Sequence, residues 1–228
     1  GSKDFVTFKP GLQFKLDGKP KNESNSGITT EQAIVQALNS PVFSKEIGNH
    51  KVLRKAVNKG REIKESRGIT VLDFDDTLAT TESLVKFTAP DGTTGTLNAE
   101  QFASTYQDLQ DQGYVFDFSE FNKVVDGKIA PLFNKALKLQ SKFGSKNMFV
   151  LTARPPEAAK AIYDFLRANG LNIPLENITG LANSTSEAKA LWIAGKVGEG
   201  FNDFYFADDA LQNVQAVDNM LEQFDVKR

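Results

Sequence analysis

Asp73 and Asp75 follow an apolar run in the first half of the chain, in the segment Asp73-Phe74-Asp75-Asp76-Thr77-Leu78. The preceding residues 69–72 are β-branched or large and apolar, which is typical of a buried central strand. Asp73 and Asp75 would leave such a strand on the same face, because side chains alternate along extended chain. Two neighbouring carboxylates repel each other unless a cation or a shared proton intervenes, so the segment indicates a metal site, an acid/base pair, or both. Asp and Thr are also common turn and helix-capping residues, which is the alternative explanation.

Two further apolar runs end in polar side chains. Residues 147–151 lead into Thr152-Ala153-Arg154, and residues 203–207 lead into Asp208-Asp209. Lys189 lies between these runs on a stretch with helical periodicity. Since ligands of open α/β sheets bind beyond the carboxyl ends of the strands, we expect these side chains to converge on one site.

Composition narrows the chemistry that this site can perform. The 228 residues include no Cys and a single His, His50, while 40% are hydrophobic and 25% are charged. A disulfide scaffold, a thiolate nucleophile and Cys or multi-His metal sites are thereby excluded, and a Ser-His-Asp triad is disfavoured. Carboxylates, Lys, Arg, hydroxyls and a hard cation remain. No apolar stretch has the length of a membrane span and no signal peptide is visible, which predicts a cytoplasmic protein. Gly1-Ser2 is typical of a tag-cleavage scar, so we expect the chain to be a fragment of a larger protein.

The ordered motifs, a D-x-D-x-T segment, a strand ending in Thr, a Lys and a strand ending in paired acids, resemble the haloacid-dehalogenase (HAD) superfamily of aspartate-nucleophile phosphatases. The likeness covers residues 69–222, with a suspected closer similarity to HAD domains encoded by bacteriophages. It implies an α/β fold with a doubly wound, mostly parallel, Rossmann-like sheet. Residues 69–228 would form the core, residues 79–128 a flap or cap inserted after the first core strand, and residues 1–68 an N-terminal extension of unknown role.

The resemblance also assigns roles in phosphoryl transfer. Asp73 would be the nucleophile that forms an aspartyl-phosphate, and Asp75 the general acid and base. Thr152 would donate its hydroxyl to a phosphoryl oxygen, and Lys189 would neutralise both Asp73 and the phosphate. Lys196 is the competing cation, but Lys189 is preferred because it lies in the first turn of its predicted helix. Arg154 either grips the leaving group or pairs with an acid.

Mg²⁺ is the implied cofactor, since it prefers carboxylate oxygens together with substrate phosphate. By resemblance it would contact the Asp73 carboxylate, the main-chain carbonyl of Asp75 and the carboxylate of Asp208. Asp209 is either a further acid near the ion or the N-cap of the last helix. Asn213 could orient that acid, although a solvent-facing position on the helix is the favoured interpretation.

The periodicity of the remaining segments predicts the elements around the site. A hairpin turning at Pro10-Gly11, a loop at 19–27, a helix from Thr29 or Thr30 to Leu38 and a second helix over 43–66 are expected before the core. The insertion should contain a hairpin turned by Asp91-Gly92 and a helix over 99–110. Further helices are predicted near 129–143, 157–169, 185–197 and 210–224, and edge strands at 177–180 and 224–227.

Charge is uneven although the net charge is only −2. Residues 51–67 contain seven Lys or Arg and two Glu, a local net charge of +5. Such a stretch can follow a nucleic-acid backbone, but the solvated face of an amphipathic helix is the more common explanation. The predicted function is Mg²⁺-dependent hydrolysis of phosphomonoesters, with a nucleotide or polynucleotide 3′-phosphate as the expected substrate. The alternative is a catalytically silent HAD-fold module of a larger phage or multidomain protein.

Overall fold

The computed structural model describes residues 5–8, 12–15, 47–62 and 65–228. The predicted loop at 19–27 and the predicted helix from Thr29 or Thr30 to Leu38 lie outside these residues. The described strands are β1 (Phe5–Phe8), β2 (Leu12–Lys15), β3 (Gly68–Leu72), β4 (Ala79–Thr80), β5 (Val85–Thr88), β6 (Thr94–Leu97), β7 (Val115–Asp117), β8 (Lys128–Ile129), β9 (Met148–Thr152), β10 (Ile178–Gly180) and β11 (Asp203–Ala207). The described helices are α1 (Ile47–Glu62), α2 (Ala99–Asp111), α3 (Phe133–Phe143), α4 (Ala159–Ala168), α5 (Ser186–Gly198) and α6 (Leu211–Leu221).

A parallel sheet of four strands, in the order β10-β9-β3-β11, forms the centre of an α/β fold that is consistent with a Rossmann-like architecture. All of β9 and all of β3 except Gly68 are buried. This burial explains why both strands read as continuous apolar runs rather than as alternating patterns. The α/β class and the mostly parallel sheet predicted from the sequence are therefore confirmed.

The described part of the chain forms two compact units. One contains Gly68–Lys189 and Phe204–Val214; the other contains the described residues up to Arg67 together with Ala190–Asp203 and Gln215–Arg228. The predicted core of 69–228 begins close to Gly68, where one unit begins, but its later part is divided between the two units. The assignment of domains therefore remains a prediction.

The main hydrophobic core belongs to the unit that begins at Gly68. Phe74 and Leu78, just after β3, are fully buried in it together with Val150 of β9 and Ile162 of α4. Burial of each such side chain contributes about 1.5–3 kcal/mol to folding, so the segment that carries the paired acids is anchored by its own apolar residues. The Phe74 ring also meets Phe165 edge to face, with centroids 5.9 Å apart.

The insertion after β3 has a core of its own. β4 pairs antiparallel with β8 at its base, and β5 lies between β6 and β7 in a separate antiparallel sheet. Phe102 of α2 is buried against Phe121, with ring centroids 5.8 Å apart. The hairpin predicted around Asp91-Gly92 and the helix predicted over 99–110 are both present; the strands β7, β4 and β8 were not foreseen.

Several predicted boundaries differ from the structure. The helix expected over 129–143 begins only at Phe133, because residues 128–129 pair with β4 instead. The last helix ends at Leu221, and the expected strand over 224–227 is reduced to one isolated bridge between Asp203 and Lys227. The hairpin of β1 and β2 and the edge strand β10 agree with the predictions.

The basic stretch occupies much of α1, which is amphipathic. Leu53 and Ala56 are buried, whereas Lys51, Arg54 and Lys55 are exposed. This is the solvated basic face that the sequence favoured, and a nucleic-acid partner for it remains a prediction. Arg67 lies beyond the helix and donates to the backbone carbonyl of Glu199. The predicted helix over 43–66 is described here as Ile47–Glu62.

Candidate active site

Three side chains predicted to carry chemistry stand at the carboxyl ends of adjacent parallel strands. Asp73 directly follows β3, Thr152 is the last residue of β9, and Asp208 directly follows β11. The backbone N–H of Asp73 donates to the carbonyl of Ala207 at 2.9 Å, which extends the pairing of β3 and β11 to the point where the acids emerge. The sheet therefore positions these side chains at one edge, as the spacing of the apolar runs predicts.

Lys189, in the first turn of α5, joins two of the acids. Its Nζ donates to Asp73 Oδ1 at 2.9 Å and to Asp208 Oδ2 at 2.6 Å, and the lysine is only 2% exposed. Lys196, the competing candidate on the same helix, instead pairs with Glu199 at 3.0 Å. Lys189 is thus the lysine that the fold places beside the paired acids.

Asn213 holds Asp208 in place. Its Nδ2 donates to both carboxylate oxygens of Asp208, at 3.1 and 3.0 Å, and its Oδ1 accepts from the Ser186 hydroxyl at 3.0 Å. Asn213 is 5% exposed, so the favoured interpretation of a solvent-facing residue was wrong. It lies in the first turn of α6, and it orients an acid that the sequence had already singled out.

Asp208 and Asp209 have different surroundings. The Asp208 carboxylate accepts the backbone N–H of Ala210 at 2.9 Å just before α6, whereas the exposed Asp209 carboxylate accepts the Thr77 hydroxyl at 3.2 Å. The same hydroxyl lies 3.2 Å from Asp73 Oδ2, so its one hydrogen is shared between the two carboxylates, and its oxygen accepts the Asp209 N–H at 3.0 Å. Of the two alternatives for Asp209, these contacts favour an acid near a bound ion over a helix cap. The bridging role of Thr77, the Thr of the D-x-D-x-T segment, was not predicted.

Three carboxylates are the candidate side-chain ligands for a cation. One oxygen each from Asp73, Asp208 and Asp209 lies within 4.8 Å of the others, a spacing that could hold a single metal ion. Such hard oxygen donors fit Mg²⁺ rather than a soft metal. The side chain of Asp75 is not in this group, so any contact from Asp75 would have to come from its main-chain carbonyl, which remains a prediction.

Asp75 is instead clamped by Arg154. The guanidinium donates from Nε to Asp75 Oδ2 at 2.8 Å and from Nη2 to Asp75 Oδ1 at 2.7 Å. Its remaining N–H groups reach the Thr81 hydroxyl at 2.9 Å and the backbone carbonyls of Phe121, at 3.1 Å, and Lys123. Arg154 has no exposed surface and its donors are all used inside the protein, so the prediction that it grips a substrate is not supported. It positions Asp75 and ties it to the insertion.

Arg154→Lys is expected to lower the free energy of unfolding by about 2–3 kcal/mol, because an ammonium cannot replace a bidentate, fully buried guanidinium. Urea unfolding of the variant should show a lower midpoint with an unchanged slope. Arg167→Lys is the matched control, since Arg167 lies on the exposed side of α4 and donates to the Tyr163 hydroxyl. Equal midpoints for the two variants would contradict the assigned role of Arg154.

A cavity of about 290 Å³ opens between the strand ends and the insertion. Its lining includes the buried residues Asp73, Thr152 and Lys189 and the exposed residues Glu100 and Ser104 of α2, and we call the exposed part of the lining its outer wall. Thr152 is 1% exposed, and its Oγ1 accepts the backbone N–H of Arg154 at 3.2 Å. The cavity is therefore lined by buried polar side chains near the strand ends and by exposed side chains of the insertion.

Negative charge exceeds positive charge around this cavity, and the titration of its groups reflects that excess. Burial raises the pKa of Asp73 well above its usual value, with Lys189 opposing the shift and Asp208 adding to it. Burial, and then repulsion from Asp208, raises the pKa of Asp209. Burial alone would lower the pKa of Lys189, but Asp73 and Asp208 outweigh it and raise the pKa. A bound cation would relieve this repulsion.

The exposed Asp76 completes the acidic surroundings. It has φ 59°, in the left-handed region that Asp tolerates better than most residues. Partial desolvation of its carboxyl group raises the pKa of Asp76, and repulsion from Asp209, Asp75 and Glu100 adds to the shift. The position of Asp76 after the strand follows from the motif, whereas the position of Glu100 in the cavity lining depends on how the insertion folds.

No family model, curated protein or solved structure matches the chain. Membership of the HAD superfamily therefore remains a prediction from the motifs and their order. None of the helices in the described part of the chain is both long enough and apolar enough to cross a membrane.

Proposed function

We propose that this chain is a Mg²⁺-dependent phosphomonoester hydrolase of the HAD type, which forms an aspartyl-phosphate on Asp73. The observation that carries the proposal is the gathering of Asp73, Lys189, Asp208 and Thr152 in one cavity at the strand ends. These residues come from segments up to 135 positions apart in sequence, and they supply a nucleophile, a cation, a metal-binding acid and a hydroxyl donor.

Asp73, Asp208 and Asp209 would hold the metal ion, with Asn213 and Thr77 fixing the orientation of their carboxylates. When bound, Mg²⁺ supplies the positive charge that offsets repulsion between these acids and a phosphate dianion. Lys189 contributes a second positive charge beside Asp73 and Asp208. In this proposal the Thr152 hydroxyl, whose oxygen accepts the Arg154 N–H, donates its hydrogen to a phosphoryl oxygen.

In the first half-reaction an oxygen of Asp73 attacks phosphorus, and the bond from phosphorus to the leaving oxygen breaks. Asp75 gives its proton to the leaving oxygen, so an alcohol departs. In the second half-reaction Asp75 takes a proton from water, whose oxygen attacks phosphorus and frees Asp73 and inorganic phosphate. Arg154 keeps the Asp75 carboxylate in one orientation; Asp75 Oδ1 accepts from both Arg154 and Thr81, whereas Oδ2 accepts from Arg154 alone and keeps one lone pair for the proton.

The insertion, residues 79–128, acts as a lid in this proposal. Its helix α2 contributes the exposed Glu100 and Ser104 and the buried Phe102 to the lining of the cavity. The carbonyls of Phe121 and Lys123 accept from Arg154, so the insertion is tied directly to the residue that orients Asp75. A lid of this kind limits water and restricts the size of the leaving group.

Hydrolysis of p-nitrophenyl phosphate tests the proposal. We expect turnover with Mg²⁺ and none after treatment with EDTA, and we expect Mg²⁺ to raise the melting temperature by binding only the folded state. At a concentration 100 times the dissociation constant the stabilisation is about 2.7 kcal/mol. Asp208→Asn should remove both effects, because it deletes one of the carboxylates and its contact with Lys189.

Asp108→Asn is the control, since Asp108 is an exposed residue of α2 outside the cavity. Stabilisation by Mg²⁺ without turnover on a panel of phosphomonoesters would favour the silent binding module. Turnover that EDTA leaves unchanged would contradict the assigned metal site.

A further inference from the structure

The outer wall of the cavity carries two carboxylates that the proposed reaction does not use. Asp76 lies in the turn after β3, and Glu100 lies in the first turn of α2, after the N-cap Asn98. Both are exposed and both line the cavity. They come from separate segments, one from the strand end and the other from the insertion.

Of the other acids that line the cavity, three pair with a basic side chain, and Asp209 belongs to the proposed metal site. Asp73 and Asp208 pair with Lys189, and Asp75 pairs with Arg154. Within residues 65–228, neither Asp76 nor Glu100 takes part in a salt bridge. Lys189 is the single basic side chain among the described residues that line the cavity, and it is already shared between two carboxylates. The outer wall therefore remains anionic when the inner end holds a metal ion and a phosphate.

This arrangement separates the charge that a substrate meets at its two ends. In the proposed reaction the phosphate lies beside the buried Lys189 and the metal ion, so the leaving group would extend toward the exposed part of the lining, which includes Asp76 and Glu100. A second anionic group on the leaving side would meet like charges, and an ammonium would meet opposite ones. The cavity, at about 290 Å³, suits a small leaving group.

We propose that the preferred substrates are small phosphomonoesters whose leaving alcohol bears an ammonium group, and that Asp76 and Glu100 determine this preference. The inference rests on the proposed hydrolase function and names the substrate class for the same cavity. It differs from the polynucleotide 3′-phosphate expected from the basic stretch, because the diester anions next to such a phosphate would lie against the acidic wall.

Three esters of similar size test the charge preference. O-phosphoethanolamine has a cationic leaving group, n-propyl phosphate a neutral one and phosphoglycolate an anionic one. We expect kcat/KM to fall in that order, and the ratio between the cationic and the anionic ester to fall roughly threefold in Glu100→Gln and roughly tenfold when Asp76→Asn is added. Asn is a suitable replacement at position 76 because it tolerates the positive φ.

Glu157→Gln is the matched control. Glu157 is an exposed acid in the first turn of the 3-10 helix Pro156–Ala158, outside the cavity lining, so it shares the favourable helix-terminal position of Glu100 without facing substrate. A purely structural role for Glu100 would lower the melting temperature in Glu100→Gln and leave the substrate ratio unchanged, which would overturn the inference.

Faster turnover of phosphoglycolate, equal turnover of all three esters, or a preference for a 3′-phosphorylated oligonucleotide would also overturn it. Mg²⁺-dependent hydrolysis of p-nitrophenyl phosphate in the same samples would then leave the proposed hydrolase function standing. Absence of turnover on every ester, p-nitrophenyl phosphate included, would overturn both proposals.

Discussion

Asp73→Asn is expected to reduce Mg²⁺-dependent hydrolysis of p-nitrophenyl phosphate by at least about 10⁴-fold. The amide is nearly the same size as the carboxylate, but it is a poor nucleophile and a weaker metal ligand. Asp73 is 6% exposed and its environment is polar on both sides, from Lys189 and Thr77, so the variant should still fold. The measurement is kcat at saturating substrate, with circular dichroism as the check on folding.

The exposed Asp108 supplies the comparison for this substitution, and Asp108→Asn should retain the activity of the original chain. If Asp73→Asn kept more than a small fraction of kcat while remaining folded, phosphoryl transfer would have to proceed through another group. The aspartyl-phosphate mechanism would then be wrong, although a metal-dependent hydrolase could remain.

Lys189→Met is expected to impair both folding and activity. Methionine has a similar length and no charge, so the substitution leaves the buried carboxylates of Asp73 and Asp208 without their shared cation. Breaking a buried ion pair in this way typically costs about 3–5 kcal/mol. Urea unfolding should show this loss without metal, and Mg²⁺ should restore part of it by supplying positive charge to the same acids.

Lys196→Met, on the same helix, provides the matched control. Lys196 pairs with Glu199, whose side chain is half exposed, so its replacement should cost less than about 1 kcal/mol and leave turnover intact. A larger loss of activity in Lys196→Met than in Lys189→Met would show that the wrong lysine has been assigned to the phosphate.

The central strands and the acids at their ends could be predicted from the sequence for a physical reason. β3 and β9 are buried on both faces, so each must be a short, largely apolar run, and the polar residue that follows or closes the run marks the end of the strand. Asp73, Thr152 and Asp208 occupy such positions. The same logic locates α5 and α6 to within three residues at each end, because their apolar stripes end where the helices end.

Contacts that depend on how distant segments pack could not be predicted in this way. The sequence does not specify the rotation of α6 relative to the end of β11, so Asn213 was expected to face solvent although it binds Asp208. The partners of Arg154 include carbonyls of Phe121 and Lys123, whose positions depend on the fold of the insertion. Glu100 reaches the cavity for the same reason. Each of these residues belongs to the site through tertiary structure rather than through a local motif.

Chemical trapping of the intermediate tests the central proposal most directly. Turnover of p-nitrophenyl phosphate with Mg²⁺ is stopped by acid, and the denatured chain is treated with borohydride, which reduces an acyl phosphate of aspartate to homoserine. Peptide mass spectrometry should then find homoserine at position 73, and only when substrate and Mg²⁺ were both present. An unmodified Asp73 in a sample that is turning over substrate, or homoserine at a different aspartate, would contradict the proposed mechanism.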